Sequence, residues 1–244
     1  VVPVMPFDVC GAMSQGYIGY HLQQALKFAL AKRGKNLPVV TIATQMVVDK
    51  NDPGFVNPTK PIGPFYSEEE AKAMVEEKGY SVKEDAGRGW RRVVASPIPQ
   101  EIVEIDAVKT LWDSSIVISC GGGGIPVVKN EDGSLEGVAA VIDKDFAAEL
   151  LAECVGADKL MILTEVERVA INFNTPDQKN LETLTLEEAQ KYIDEGHFAP
   201  GSMLPKVQAA MKFVKANPGK QAIITSLDKA IEALEGKTGT VFTA

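Results

Sequence analysis

Residues 116–128 read IVISCGGGGIPVV, and this junction between a strand and a glycine loop decides the fold. The β-branched run at 116–119 has the length of a buried strand. Glycine has no Cβ, so the backbone after the strand can approach a ligand closely and can adopt positive φ at little cost. Ligands of open α/β sheets bind at the carboxyl ends of the strands. We therefore predict a ligand site, with a flexible connection as the alternative, at Gly121, Gly122, Gly123 and Gly124.

The rest of the chain alternates strands of this kind with amphipathic helices. Further strands are predicted at 39–48, 160–163, 221–225 and 240–243. Helices are predicted at 15–33, 104–113, 144–155, 185–196, 204–216 and 227–236. This alternation predicts an α/β fold with a mostly parallel sheet covered by helices on both faces.

One segment, residues 49–92, interrupts the alternation. It holds four prolines between Pro53 and Pro64 and then a charged stretch typical of a helix. We interpret it as an inserted subdomain or lid within a single domain that covers residues 1–244.

Composition excludes several classes of protein. The chain has 244 residues, of which 45% are hydrophobic, and a net charge of −8. No basic stripe suggests nucleic-acid binding, and no apolar run approaches the roughly 18 residues of a membrane span. The three cysteines, Cys10, Cys120 and Cys154, lack the spacing of a zinc site. A cytoplasmic location is expected.

The segment VIDKD at 141–145 places three charges between two apolar runs. Asp143 is a candidate N-cap for the helix at 144–155. Lys144 would then lie in the first turn, where the helix dipole disfavours a cation by about 0.3–1 kcal/mol. Two interpretations stay open: a solvated turn, or a lysine that faces a bound phosphate and is held by Asp145.

A second lysine occupies the same kind of position. Ser202 is a candidate N-cap and Pro205 suits a first helical turn, so Lys206 also lies at a helix start. Two such lysines in an acidic chain indicate a pair that neutralises a transferring phosphoryl group.

The remaining candidates are weaker. Lys60 lies between prolines in NPTKPIG (57–63), which suits a residue carried by a lid. The local sequence alone favours a solvated loop lysine. The stretch GRGWRR (87–92) is interpreted as a hinge or subunit contact, with phosphate or base binding as the alternative. His21 and His197 are isolated and are not expected to be catalytic.

Eight segments carry a resemblance to a known family. They are DVCGAMSQGYIGY (8–20), NPTKPIGPFY (57–66), EDAGRGWRRVVASPIPQEIVE (84–104), CGGGGIPVV (120–128), VIDKD (141–145), LMILTEV (160–166), GHFAPGSMLPKV (196–207) and ITSL (224–227). In these segments the chain resembles the carbamate kinases of the amino acid kinase family.

The resemblance implies a fold and an activity. The fold would be an open αβα sandwich with a mostly parallel central sheet and an inserted protruding subdomain, in a cytoplasmic homodimer. The activity would be reversible phosphoryl transfer from ATP to carbamate, giving ADP and carbamoyl phosphate, used for ATP synthesis in arginine catabolism. Mg²⁺ would be carried by ATP and not by protein side chains.

The resemblance also implies roles for individual residues. Lys144 and Lys206 would neutralise the transferring phosphoryl group, and Asp145 would orient them. Lys60 would be brought over the acceptor by the protruding subdomain, and Gly121 to Gly124 would line the acceptor side. The stretches 163–174 and 202–206 would form the nucleotide side. The individual residues expected to bind the nucleotide are Asp143, Leu163, Thr164, Val169, Ala170, Ser202, Met203 and Lys206.

The chain departs from the family at its front. The family's GGNA and GNGPQVG glycine loops do not occur in this sequence. We therefore expect the 244 residues to be N-terminally incomplete. Two other hypotheses remain: another phosphotransferase of the amino acid kinase family, and a non-catalytic truncated remnant.

Overall fold

The computed structural model describes residues 5–85 and 87–244. The chain divides into two compact units, Val1–Lys144 and Asp145–Ala244. We call them unit 1 and unit 2.

Unit 1 begins with a long helix, α1 (Phe7–Lys32), which starts eight residues before the predicted helix. Pro6 lies at the N-cap, where its fixed φ suits a helix start. Glycines in the first turns of α1 interrupt the helical spacing of the apolar residues, so the sequence pattern did not reveal where the helix begins. At Gly19, which is buried, a Cβ would overlap with the Thr41 side chain. Glycine at that position therefore lets α1 lie close to the strand that carries Thr41.

The described strands of unit 1 form three sheets. The elements after α1 are β1 (Val39–Thr41), β2 (Gln45–Val48), α2 (Pro53–Val56), β3 (Lys60–Tyr66), α3 (Glu68–Lys78), β4 (Ser81–Glu84), β5 (Trp90–Val94), β6 (Pro99–Ile102), α4 (Ile105–Trp112), β7 (Ile116–Ile118), β8 (Ile125–Lys129) and β9 (Leu135–Gly137). Strand β1 pairs with β7 in parallel. The second sheet has the order β6-β2-β8-β9, with β2 and β8 parallel and the outer pairs antiparallel. The third sheet, β3-β5-β4, is antiparallel.

The prediction of one strand over residues 39–48 was wrong, because β1 and β2 belong to different sheets. The break lies at Thr44, which is completely buried. The Gln15 side chain of α1 accepts from the Thr44 N–H at 2.7 Å and donates to its carbonyl oxygen at 3.1 Å. The Gln15 side chain therefore takes the place of a neighbouring strand at the Thr44 N–H, and it shares the Thr44 carbonyl oxygen with the N–H of Ile125 on β8, 2.8 Å away.

The segment that interrupts the alternation folds as a small α/β layer. Helix α3 is the charged helix of the sequence prediction, and a capping box between Ser67 and Glu70 fixes its start. The sheet β3-β5-β4 lies on either side of α3 in the chain. Its service as a lid stays a prediction.

Unit 2 contains α5 (Lys144–Cys154, whose first residue ends unit 1), β10 (Lys159–Thr164), β11 (Ala170–Ile171), β12 (Lys179–Asn180), β13 (Thr183–Thr185), α6 (Leu186–Asp194), α7 (Met203–Ala216), β14 (Gln221–Ser226), α8 (Ala230–Leu234) and β15 (Thr240–Thr243). The described part of its main sheet has the order β10-β14-β15-β13. Strands β10 and β14 pair in parallel over six residues. β15 is antiparallel to β14 and parallel to β13.

The core of unit 2 lies between α7 and this sheet. Phe213 of α7, Ile224 of β14 and Phe242 of β15 are completely buried in one cluster. Burial of each such side chain contributes about 1.5–3 kcal/mol. Parallel strands with helices packed against them confirm the predicted α/β class. Among the described residues, no helix has both the length and the apolar character needed to cross a membrane.

Candidate functional site

The starts of two helices in unit 2 are joined by a buried ion pair. Lys206 of α7 places Nζ 2.7 Å from Oδ2 of Asp145 of α5, and the two side chains are 11% and 8% exposed. Ser202 occupies the N-cap position of α7 as predicted, but its side chain makes no cap hydrogen bond to the described chain. Two charges withdrawn from water cost more than the pair usually returns in stability. Such a pair at helix starts is therefore a candidate for function.

A second ion pair joins the same two helices. Nζ of Lys212 on α7 lies 2.6 Å from Oε2 of Glu149 on α5. Glu149 is completely buried, and burial raises the pKa of its carboxyl above the usual range. Lys212 opposes this shift, and the neighbouring Glu153 adds to it. The sequence did not point to Glu149, because a glutamate in an amphipathic helix is normally a surface residue.

In unit 1, Lys60 is held at the start of β3 by an ion pair. Its Nζ lies 2.8 Å from Oδ2 of Asp143, and the side chains are 32% and 14% exposed. The sequence singled out both residues for different roles and did not predict that they pair. Helix α5 begins at Lys144, directly after Asp143, so Lys144 has the predicted position in the first turn.

The tetraglycine segment forms a 3₁₀ turn over Gly121–Gly123 with positive φ at Gly122, Gly123 and Gly124. A Cβ at Gly123 would overlap with the carbonyl oxygen of Ile142, and one at Gly124 would lie 2.9 Å from Cβ of Met46. Close packing therefore requires these two glycines. A Cβ at Gly122 would meet no described atom within 4 Å, so this backbone is open to a ligand.

The exposed glycines border a cavity of about 330 Å³ in unit 1. The Gln15 side chain of α1 fixes one wall by donating to the carbonyl oxygen of Gly121 at 3.1 Å. Thr41 and Ser119 also line the cavity, and their buried hydroxyl oxygens have no hydrogen-bond partner in the described chain. The cavity thus combines apolar walls with a few polar groups, as small-molecule sites do.

A larger cavity, about 490 Å³, lies in unit 2 near the carboxyl end of β10. Four of the residues predicted to bind the nucleotide line it: Thr164, Ala170, Ser202 and Met203. Val169 lies behind the wall, completely buried, and its N–H donates to the Thr240 hydroxyl at 2.9 Å. Leu163, Lys206 and Asp143 are not among the lining residues.

The same cavity has lining residues that were not singled out individually, notably Arg168, Phe173 and His197. The first two lie in the stretch 163–174, which the resemblance assigned to the nucleotide side. Phe173 is 52% exposed. Asn172 and Asn174 on either side of it have φ of 52° and 61°, a conformation that asparagine tolerates. An aromatic residue inside the polar turn INFNTPD (171–177) was the available signal. Arg168 donates to Glu182 at 2.6 Å, while its buried Nε has no partner among the described groups.

Unit 2 thus has a buried lysine at a helix start and a cavity at the carboxyl end of a strand. This combination is typical of α/β phosphotransferases. Residues 9–226 match the amino acid kinase family. The chain belongs to this family and is an ATP-dependent phosphotransferase.

Relatives within the family are carbamate kinases, as the sequence resemblance predicted. The "Carbamate kinase" of Clostridium perfringens is 64% identical over 239 residues, which cover 98% of this chain and 76% of that protein. That of Pyrococcus horikoshii is 58% identical, with 99% and 77% covered. The solved carbamate kinase of Giardia lamblia bound to AMP-PNP is 49% identical with a TM-score of 0.90, and covers 100% of this chain and 77% of its own.

Proposed function

We propose that the chain catalyses reversible phosphoryl transfer between ATP and carbamate, giving ADP and carbamoyl phosphate. The observation that carries this proposal is the buried Lys206–Asp145 pair, in the unit whose cavity is lined by residues predicted to bind the nucleotide. The names of the relatives support carbamate as the acceptor.

The proposed mechanism is electrostatic. In the direction of ATP formation, a β-phosphate oxygen of ADP attacks the phosphorus of carbamoyl phosphate, and carbamate leaves with the electron pair of the broken P–O bond. Negative charge is spread over the phosphoryl oxygens during this step, and Lys206 and Lys144 would neutralise it. Asp145 would hold the Lys206 ammonium in one direction. Carbamate is already an anionic oxygen nucleophile in the reverse direction, so the reaction requires no general base.

The acceptor would be bound by residues of unit 1. Lys60 can attract the carbamoyl phosphate anion, and its ion pair with Asp143 fixes its amine in advance. The exposed backbone of Gly121 and Gly122 can donate hydrogen bonds to the acceptor. The layer of β3, α3, β4 and β5 would then serve as the lid that carries Lys60.

Mg²⁺ fits this proposal as a companion of the nucleotide. In the described part of the chain, no group of three or more His, Cys, Asp or Glu residues is arranged to hold a metal ion. In this proposal the nucleotide phosphates would carry Mg²⁺, which would reduce their negative charge.

An assay of ATP formation from ADP and carbamoyl phosphate tests the function. We expect the rate of ATP formation to be proportional to the enzyme concentration. ADP binding without turnover would instead support the non-catalytic remnant, and turnover only with another acyl phosphate would support a different acceptor. The physiological direction that we propose is ATP synthesis in arginine catabolism, in the cytoplasm.

Lys60→Ala should act mainly on the acceptor. We expect the KM for carbamoyl phosphate to rise about tenfold, because one charge-assisted contact of about 1.5 kcal/mol is lost. The KM for ADP should stay within about twofold. Lys72→Ala, in an exposed ion pair with Glu68 on α3, is the matched control. Steady-state kinetics with each substrate varied would decide, and an unchanged KM for carbamoyl phosphate would contradict the assignment.

We further propose that the protein is a homodimer in which α1 contacts its counterpart. Exposed apolar side chains recur at helical spacing along one side of α1: Val9, Met13, Tyr17, Tyr20 and Phe28. A two-fold axis brings the same patch of both subunits together, so this apolar face would be buried against its own counterpart. Tyr17→Glu should convert a dimer to a monomer in analytical ultracentrifugation, whereas Val56→Glu, at an exposed site of α2, should not. A monomeric wild-type protein would refute the proposal.

A further inference from the structure

Helices α5 and α7 are joined at two places along their length. Asp145 and Glu149 are one helical turn apart on α5, and their partners Lys206 and Lys212 follow in the same order on α7. The two contacts are therefore separated by about 6 Å along α5 and about 9 Å along α7. The apolar core already holds α7 against the sheet. A second ion pair adds a restraint on small rotations of α7 against α5, which a single contact near the helix starts would leave possible.

Stability does not explain the second contact. Glu149 is completely buried, and its Oε1 accepts no hydrogen bond from the described chain. Withdrawing a carboxylate from water costs several kcal/mol, and an apolar side chain of similar size would fill the same space without that cost. Lys212, whose side chain is 47% exposed, would be solvated without Glu149. The pair therefore makes a costly contact between two helices that each carry a residue of the candidate site.

We propose that Glu149 and Lys212 are positioning residues for Lys206. Their ion pair restrains small rotations of α7 against α5 that core packing would still allow, so the Lys206 ammonium stays on the Asp145 carboxylate and points in one direction. Neither residue touches the substrate in this proposal. The consequence for catalysis rests on the function proposed above, but the consequence for Lys206 does not.

The charged groups around Glu149 indicate that Lys212 can be replaced without unfolding the protein. Lys212 and Glu153 are the groups that shift its pKa, in opposite directions. When Lys212 is replaced, the Glu149 carboxyl can take up a proton, because burial already raises its pKa. We therefore expect Lys212→Met to fold while it loses the ionic contact.

The direct readout is the reactivity of the Lys206 amine. In the full chain, acetylation of Lys206 by acetic anhydride is followed by mass spectrometry at neutral pH. We expect acetylation about tenfold faster in Lys212→Met than in the wild type, because Lys206 leaves Asp145 more often. The matched control is Lys237→Met, which removes an equally short 2.6 Å pair with Glu235 whose side chains are 68% and 52% exposed. The control should label Lys206 at the wild-type rate.

Turnover gives the second readout. We expect kcat of Lys212→Met to fall about tenfold with the KM for ADP within about twofold, as a displaced catalytic group would produce. Glu149→Gln, which keeps the side-chain size, should reproduce both effects. The double variant Glu149→Gln/Lys212→Met should lose no more kcat than either single variant, because the two residues act as a pair.

Two results would overturn the proposal. One is acetylation of Lys206 at the wild-type rate in folded Lys212→Met. The other is acetylation of Lys206 at the wild-type rate in Glu149→Gln, which replaces the first test if Lys212→Met does not fold. The labelling experiment needs no turnover. An inactive chain with altered Lys206 labelling would therefore refute the proposed reaction and leave the positioning role standing.

Discussion

Lys206→Met should lower kcat for ATP formation by about 10²–10³-fold, the loss typical of removing one group that stabilises charge in a transition state. The methionine side chain keeps the length of the lysine stem but cannot neutralise the phosphoryl oxygens. The ion pair with Asp145 at 2.7 Å already holds the lysine ammonium in place, so little reorganisation is needed when the substrate reacts. The KM for ADP should change far less than kcat, because the lysine acts mainly on the transferring group.

The single variant also leaves the Asp145 carboxylate buried without this cation, which can destabilise the protein by about 3–5 kcal/mol. The double variant Asp145→Asn/Lys206→Met removes both charges and separates the two effects. We expect it to unfold in urea close to the wild-type midpoint and to remain inactive.

The matched control on the same helix is Lys215→Met, an exposed lysine near the end of α7. It should retain wild-type kcat. More than about a tenth of wild-type activity in the folded double variant would show that Lys206 does not carry the charge neutralisation.

The elements predicted best from the sequence are those whose whole environment is apolar. Strand β14 and helix α7 pack against each other, so their apolar residues report directly on burial. The split between β1 and β2 could not be predicted, because the Thr44 N–H donates to the side chain of Gln15, about thirty residues away in the chain, and not to a neighbouring strand. The pairing of β3, β4 and β5 also depends on partners that no local period identifies.

The candidate site shows the same division. A lysine in the first turn of a helix is visible in the sequence, so Lys144 and Lys206 were singled out. The pairings Lys60–Asp143 and Lys206–Asp145 span 83 and 61 residues and follow from the fold alone. Glu149 was missed because its burial contradicts the usual behaviour of glutamate, and only the structure shows that contradiction.

Gly123→Ala should cost far more stability than Gly122→Ala. Both glycines have positive φ, 110° and 67°, so both substitutions carry backbone strain of about 1–2 kcal/mol. Only at Gly123 does the new Cβ overlap with a backbone atom, the carbonyl oxygen of Ile142. We expect a further loss of about 1–3 kcal/mol for that overlap, because backbone must move to relieve it.

The overlap also has a consequence for the acceptor side, because Ile142 directly precedes Asp143. Displacement of this backbone would shift Asp143 from the Lys60 ammonium, which lies 2.8 Å away. Gly123→Ala should therefore raise the KM for carbamoyl phosphate at a temperature where the protein is still folded, and Gly122→Ala should affect that KM only if the Gly122 backbone binds the acceptor. Urea unfolding and steady-state kinetics on both variants measure the two effects. Equal losses of stability would mean that strain at positive φ, and not packing against Ile142, explains the tetraglycine loop.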